Sequence, residues 1–164
     1  MIRFTRVAEA RFSPPFKGRV LQVYGLFPEL QDLQITCGFI SGRGRVLGTA
    51  RSWRRQISLQ PNASNMTIAH EFVHLLQGGA SGVPHGEKAC DIWALARLPA
   101  EMLDGHPPSY IAGHWSRGRW FKHRLQVKAL CEQAIELRRV QRTYIKWLSG
   151  QLRLLKETPA SLNY

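Results

Sequence analysis

The sequence predicts an α+β fold: a small, mainly antiparallel sheet followed by two short helices and a long C-terminal amphipathic helix. Three observations predict it. Short β-rich runs punctuated by Gly and Pro fill residues 1–61. From Asn62 the apolar residues switch from alternation to helical spacing. Beyond residue 116 that spacing persists over a long stretch. At 164 residues the chain suits one domain, with little left for a second. Residues 1–164 therefore read as one unit in three segments: 1–61 mainly β, 62–115 helices and a loop, and 116–164 a basic helical segment.

The elements follow in order. Residues 19–24 and 33–40 are β-rich runs. Residues 41–45 form a glycine-punctuated turn, and 46–53 return as the partner strand of 33–40. Residues 56–60 make one more short strand, closed by Pro61. Asn62, Ser64, Asn65 and Thr67 are helix N-cap candidates. Ile68, Phe72, Leu75 and Leu76 then lie on one helical face, and Gly78-Gly79 stops the helix. A second helix runs from Gly86 to Leu98, with Ala89, Ile92, Trp93 and Ala96 inward and Pro99 as its limit. Residues 104–109 are loop. The long helix spans about 119–148 with Val127, Leu130, Ala134, Leu137, Tyr144 and Leu148 as its stripe, and Gly150 breaks it.

Composition narrows the class. Hydrophobic residues at 44% and charged residues at 21% exclude a mainly disordered chain and a collagen-like one. The net charge is +12, distributed as +7 over residues 1–60, −3 over 61–115 and +8 over 116–164. Such a surface favours an anionic partner, a statement about association and not about fold. Cys37, Cys90 and Cys131 are odd in number and lack CxxC spacing, which argues against a disulfide framework. Each reads as a small buried hydrophobe. The first twelve residues carry Arg3, Arg6, Glu9 and Arg11 without an apolar core, unlike a signal peptide, and no run is long enough to span a bilayer. The expectation is a cytoplasmic protein without a membrane partner.

The acidic middle segment holds the chemistry. His70-Glu71-Phe72-Val73-His74 is HExxH. Residues four apart project from the same side of a helix, so His70 and His74 can reach one ion. Zinc accepts imidazole nitrogen at about 2.0–2.1 Å in roughly tetrahedral geometry. Glu71 sits beside the metal without needing to bind it, placed to take a proton from the attacking water. Both histidines lie off the apolar stripe, so the helix can bury one face and present another to a cleft. A catalytic zinc wants three protein ligands. His85, Glu87 and Asp91 are the candidates for the third. Glu87 and Asp91 share one face of the second helix, which lets one bind metal while the other hydrogen-bonds a ligand histidine.

HExxH followed by Glu87-x-x-x-Asp91 resembles the gluzincin pattern. The short sheet ending at Pro61 before the zinc helix resembles the minimal members called minigluzincins, and Leu98-Pro99 after the second helix is similar to ImmA/IrrE-type peptidases. The resemblance covers about residues 45–100. It implies a zinc metallopeptidase with His70, His74 and Glu87 as ligands, Asp91 supporting a ligand histidine and Glu71 as general base. Only twelve residues separate His74 from Glu87, a short spacing for a gluzincin. His85-Gly86 also resembles SprT-like and WLM metallopeptidases, which implies His85 as the alternative third ligand and nucleic-acid-bound proteins as substrates.

Three further features bear on function. Tyr110, His106 and His114 follow the second helix and are candidates to donate to a developing oxyanion, Tyr110 first among them. The strand 56–60 is either a plain interior strand or an edge that pairs with an extended peptide substrate. The basic helix carries Arg124, Lys128, Arg138, Arg139, Arg142 and Lys146 with interleaved Trp115, Trp120, Phe121, Tyr144 and Trp147. It reads best as a packed helix with a solvated basic face, the alternative being a nucleic-acid grip. The expected function is zinc-dependent peptide hydrolysis on a protein or peptide substrate. A non-enzymatic basic binding protein with a structural metal is the competing reading.

Overall fold

A computed structural model describes residues 1–42, 46–77 and 81–157. It is α+β, helix-rich with a small mixed sheet. Strand β1 (Ile2–Phe4) leads into helices α1 (Arg6–Arg11) and α2 (Pro14–Gly25). Strands β2 (Ile35–Phe39), β3 (Gly48–Arg51) and β4 (Gln56–Leu59) follow. Then come α3 (Asn65–Leu76), α4 (Glu87–Arg97), α5 (Arg117–Leu137) and α6 (Tyr144–Glu157).

The sheet order is β1-β2-β4-β3, with β1–β2 and β2–β4 parallel and only β3–β4 antiparallel. The expected pairing of 33–40 with 46–53 is therefore corrected. The returning strand β3 pairs with β4, and β4 inserts between it and β2. Parallel neighbours need a crossover, which α1 and α2 supply between β1 and β2. Ile35, Cys37, Ile57 and Leu59 alternate into the core from the two central strands.

Residues 19–24 are helical, not a strand. Ser13 caps α2 by accepting from the Phe16 N–H, Pro14 and Pro15 fill its first turn, and Phe16, Val20, Val23 and Tyr24 are buried at helical spacing. That start signal and the buried stripe outweigh the β propensity of Val20, Val23 and Tyr24.

Ser64 is the N-cap of α3, accepting from Thr67 N–H at 3.0 Å. Phe72 packs against Tyr24 and Phe27, tying α3 to the α2 end of the molecule. The second helix, α4, falls where expected, and α3 packs on α4, α4 on α5 and α5 on α6. The single long helix is corrected to two. The chain leaves α5 at Arg138, and α6 starts after Thr143, so that Tyr144, Leu148 and Leu152 turn back to pack. Gly150 lies inside α6 rather than breaking it. Trp115, Trp120 and Tyr144 are buried, Trp147 packs against the core, and Phe121 is exposed. The turn residues 43–45 and the Gly78-Gly79 stop lie outside the described residues. No described helix is long and apolar enough to cross a membrane.

Candidate metal centre

Helix α3 carries His70, Glu71 and His74 on the side facing α4 and β3. His70 and Glu71 are buried and His74 is partly exposed. Helix α4 presents Glu87, Cys90 and Asp91, three positions that share a face at i, i+3 and i+4.

The hydrogen bonds decide which imidazole nitrogens are free. Nδ1 of His70 lies 2.8 Å from Asp91 Oδ1, and Nδ1 of His74 lies 2.9 Å from Gln77 Oε1. An acceptor on each Nδ1 engages that nitrogen and leaves Nε2 as the one that can turn to an ion once its proton is lost. Both Nε2 atoms then face one carboxylate oxygen: Glu87 Oε2 is 2.9 Å from that of His70 and 3.3 Å from that of His74. Ligands held tetrahedrally at about 2.0–2.1 Å from one ion stand roughly 3.3 Å apart. The two separations from Glu87 Oε2 are of the size expected between ligands of one ion.

Cys90 is a fourth neighbour, its Sγ 3.3 Å from Nδ1 of His74. His70, His74 and Cys90 form a group that can hold a metal ion. Sequence reasoning gave Cys90 only a packing role and overlooked Gln77. The signals were there: Cys90 is three residues from Glu87 on the same face, and Gln77 is three from His74. Gln77 also donates to the Pro84 and Gly86 carbonyls, at 2.7 and 3.1 Å, closing the loop that delivers Glu87.

No family model, curated protein or solved structure matches this chain. The side chains alone therefore carry the chemistry of the site.

A cleft of about 990 Å³ opens over these residues. Its walls include Gly48, Thr49 and Ala50 of β3 and Pro107, Pro108, Ser109 and Tyr110 of the loop after α4. Tyr110 is half exposed and stacks on the His70 ring at 5.7 Å between centroids. His106 lines the cleft. His114 is exposed and is not among the lining residues. His85 is exposed in the loop before α4 and likewise lies off the cleft lining. The structure thus brings Glu87, rather than His85, to the two histidines. Strand β4 is interior, the plainer of the two readings of 56–60, and β3 is the edge that borders the cleft.

Electrostatics follow from burial and crowded carboxylates. Burial pushes the Glu71 carboxyl up to about 7, the His70 charge opposing and Glu87 adding to the rise. Burial alone would lower His70, but the Asp91 hydrogen bond and charge, with help from Glu71 and Glu87, raise it overall. Burial, reinforced by Glu87 and Asp91, pushes the Cys90 thiol up, which holds the proton on sulfur in the metal-free protein.

Proposed function

We propose that this chain is a zinc-dependent metallopeptidase with His70, His74 and Glu87 as metal ligands and Glu71 as general base. The observation that carries the reading is the convergence of the two Nε2 atoms on Glu87 Oε2, with each Nδ1 held by its own acceptor and Glu71 lining the same cleft. The donor set of two neutral imidazoles and one carboxylate suits zinc and leaves a coordination position open. Zinc, when bound, supplies a Lewis acid that activates water and polarises the scissile carbonyl.

The chain's own residues do the rest. Asp91 and Gln77 hold the two rings in place. Glu71, buried beside them, takes the proton of the attacking water and passes it to the leaving amine. The Tyr110 phenol, at the cleft wall, is the donor for the developing oxyanion. The outer edge of β3 offers backbone groups to an extended peptide, a mode that reads chain shape more than side chains.

The contact between Cys90 and His74 favours one second reading: a structural ion held by His70, His74 and Cys90, in a protein that hydrolyses nothing. The sulfur approaches His74 at Nδ1, the nitrogen that also faces Gln77. Elemental analysis and a quenched-peptide library separate the two. Near one zinc per chain, lost in His74→Ala, together with peptide cleavage by the zinc-loaded protein, supports the proposal. Bound zinc without cleavage of any peptide supports the structural ion.

A further inference from the structure

Gly48 opens strand β3 and pairs with Leu59 of β4. Its backbone is not in the left-handed region; the described glycines with positive φ are Gly42, Gly82 and Gly86. Conformation therefore does not demand glycine here. Space does. A Cβ built on Gly48 falls 2.7 Å from Glu71 Cγ, 2.7 Å from Oε1 and 3.0 Å from Cδ. Carbon atoms in contact prefer about 3.5–4.0 Å. The Glu71 side chain occupies the volume that any other residue at position 48 would fill, lying flat on the backbone of the edge strand.

Glu71 is buried, so it has little room to yield. The conflict reaches its Cγ, close to the α3 backbone, and not only the carboxylate tip. Turning the side chain away from a methyl group at position 48 moves the carboxylate off β3.

We propose that Gly48 is a positioning residue: the missing side chain seats the Glu71 carboxylate between β3 and the two histidines. The seat is a matter of packing, while its catalytic consequence rests on the proposed function. This assigns the cleft wall a role beyond peptide pairing, since the strand that would receive the substrate also aims the base.

The test uses the full chain as Gly48→Ala, Glu71→Ala and the double variant. Thermal unfolding and zinc content are measured for each, with kcat and KM on a quenched fluorescent peptide that the wild type cleaves. Gly48→Ala is expected to keep stoichiometric zinc and to lower Tm. In the Glu71→Ala background the same substitution lowers Tm much less, because the clashing atoms are gone. On the peptide, kcat falls about 100-fold, the scale of an ångström-sized misplacement, with KM little changed. Equal Tm losses in both backgrounds, or an unchanged kcat, overturn the proposal. Should Gly48→Ala alone fail to fold, a folded double variant supports the seat and an unfolded one overturns it. A wild type that cleaves no peptide counts against the proposed function, and the Tm comparison still decides the seat.

Discussion

The backbone N–H of Tyr110 donates to Asp91 Oδ2 at 2.7 Å. Ile111 N–H adds a second bond to the same oxygen at 3.3 Å, while Oδ1 receives Nδ1 of His70. One buried carboxylate thus joins His70 to the loop that lines the cleft at Tyr110. The stacking of Tyr110 on His70 closes this circuit.

Asp91→Asn should therefore act at two places. Removing the charged acceptor beside a ligand histidine costs typically 10–100-fold in metal affinity. The loop amides should also exchange faster. Competitive zinc titration reads the first effect, and hydrogen exchange at Tyr110 and Ile111 reads the second. Wild-type protection of both amides in the variant would show that Asp91 does not anchor the loop.

Glu71→Gln is nearly isosteric and should retain zinc. It removes the proton acceptor, so peptide hydrolysis should fall by about 10²–10⁴-fold. The measurement is kcat/KM on preparations matched for zinc content. Full activity in a zinc-replete variant would rule Glu71 out as general base.

The two ligand sets differ in sulfur. With cobalt in place of zinc, ligation by Nε2, Nε2 and Glu87 predicts no thiolate charge-transfer band in the near ultraviolet. Cys90→Ala should leave the visible spectrum and metal affinity close to wild type, and Glu87→Ala should weaken binding severely. The reverse pattern would assign the ion to Cys90.

The Arg97–Glu29 pair ties α4 to the turn before β2. Arg97 Nη1 donates to Glu29 Oε2 at 2.9 Å and to the Leu26 carbonyl at 3.3 Å. The Arg97 hydrogen bond chiefly holds the Glu29 carboxyl below its ordinary 4.5, burial opposing. A depressed acid stabilises the fold fully above its unfolded value, and that contribution is lost as pH falls through the lower folded value. Glu29 is 39% exposed, so solvent screening keeps the effect within about 1 kcal/mol. Glu29→Gln should lower Tm slightly at neutral pH, and its unfolding curves should merge with wild type well below pH 4.5. A difference that persists in acid would point to packing instead of charge.

Leu148 is 1% exposed and packs α6 onto the body of the protein. Leu148→Ala should cost about 2–5 kcal/mol, the range for emptying a buried leucine site. Denaturant unfolding measures it. A cost below about 1 kcal/mol would mean that α6 contributes little to the cooperative fold.

Local signals were legible wherever their partners are close in sequence. The cluster of cap candidates that includes Ser64, the α3 stripe and the spacing of His70, Glu71 and His74 all act within one or two turns of helix, so the sequence suffices to place the helix start, its buried face and these three residues. The same holds for α4 and for Glu87 and Asp91 on its face. Residues 14–25 went unread as a helix because Val20, Val23 and Tyr24 suit either state, and only their burial against the rest of the core chose. Residues 138–143 hid a turn because the apolar stripe resumes after it, leaving no local sign that the chain reverses.

The amino-acid order by itself determined that one helix offers two imidazoles and a glutamate to a single ion, since helical geometry makes that a local fact. Tertiary structure alone decided which side chains of α4 stand beside them. Glu87 reaches the histidines because α4 packs on α3 and Gln77 closes the loop between them, leaving His85 outside. It also decided the strand order and the approach of Gly48 to Glu71. These contacts join separate elements, 13 positions apart for His74 and Glu87 and 33 for β1 and β2, and which of the available pairings forms depends on how the whole core is buried rather than on any short stretch of chain.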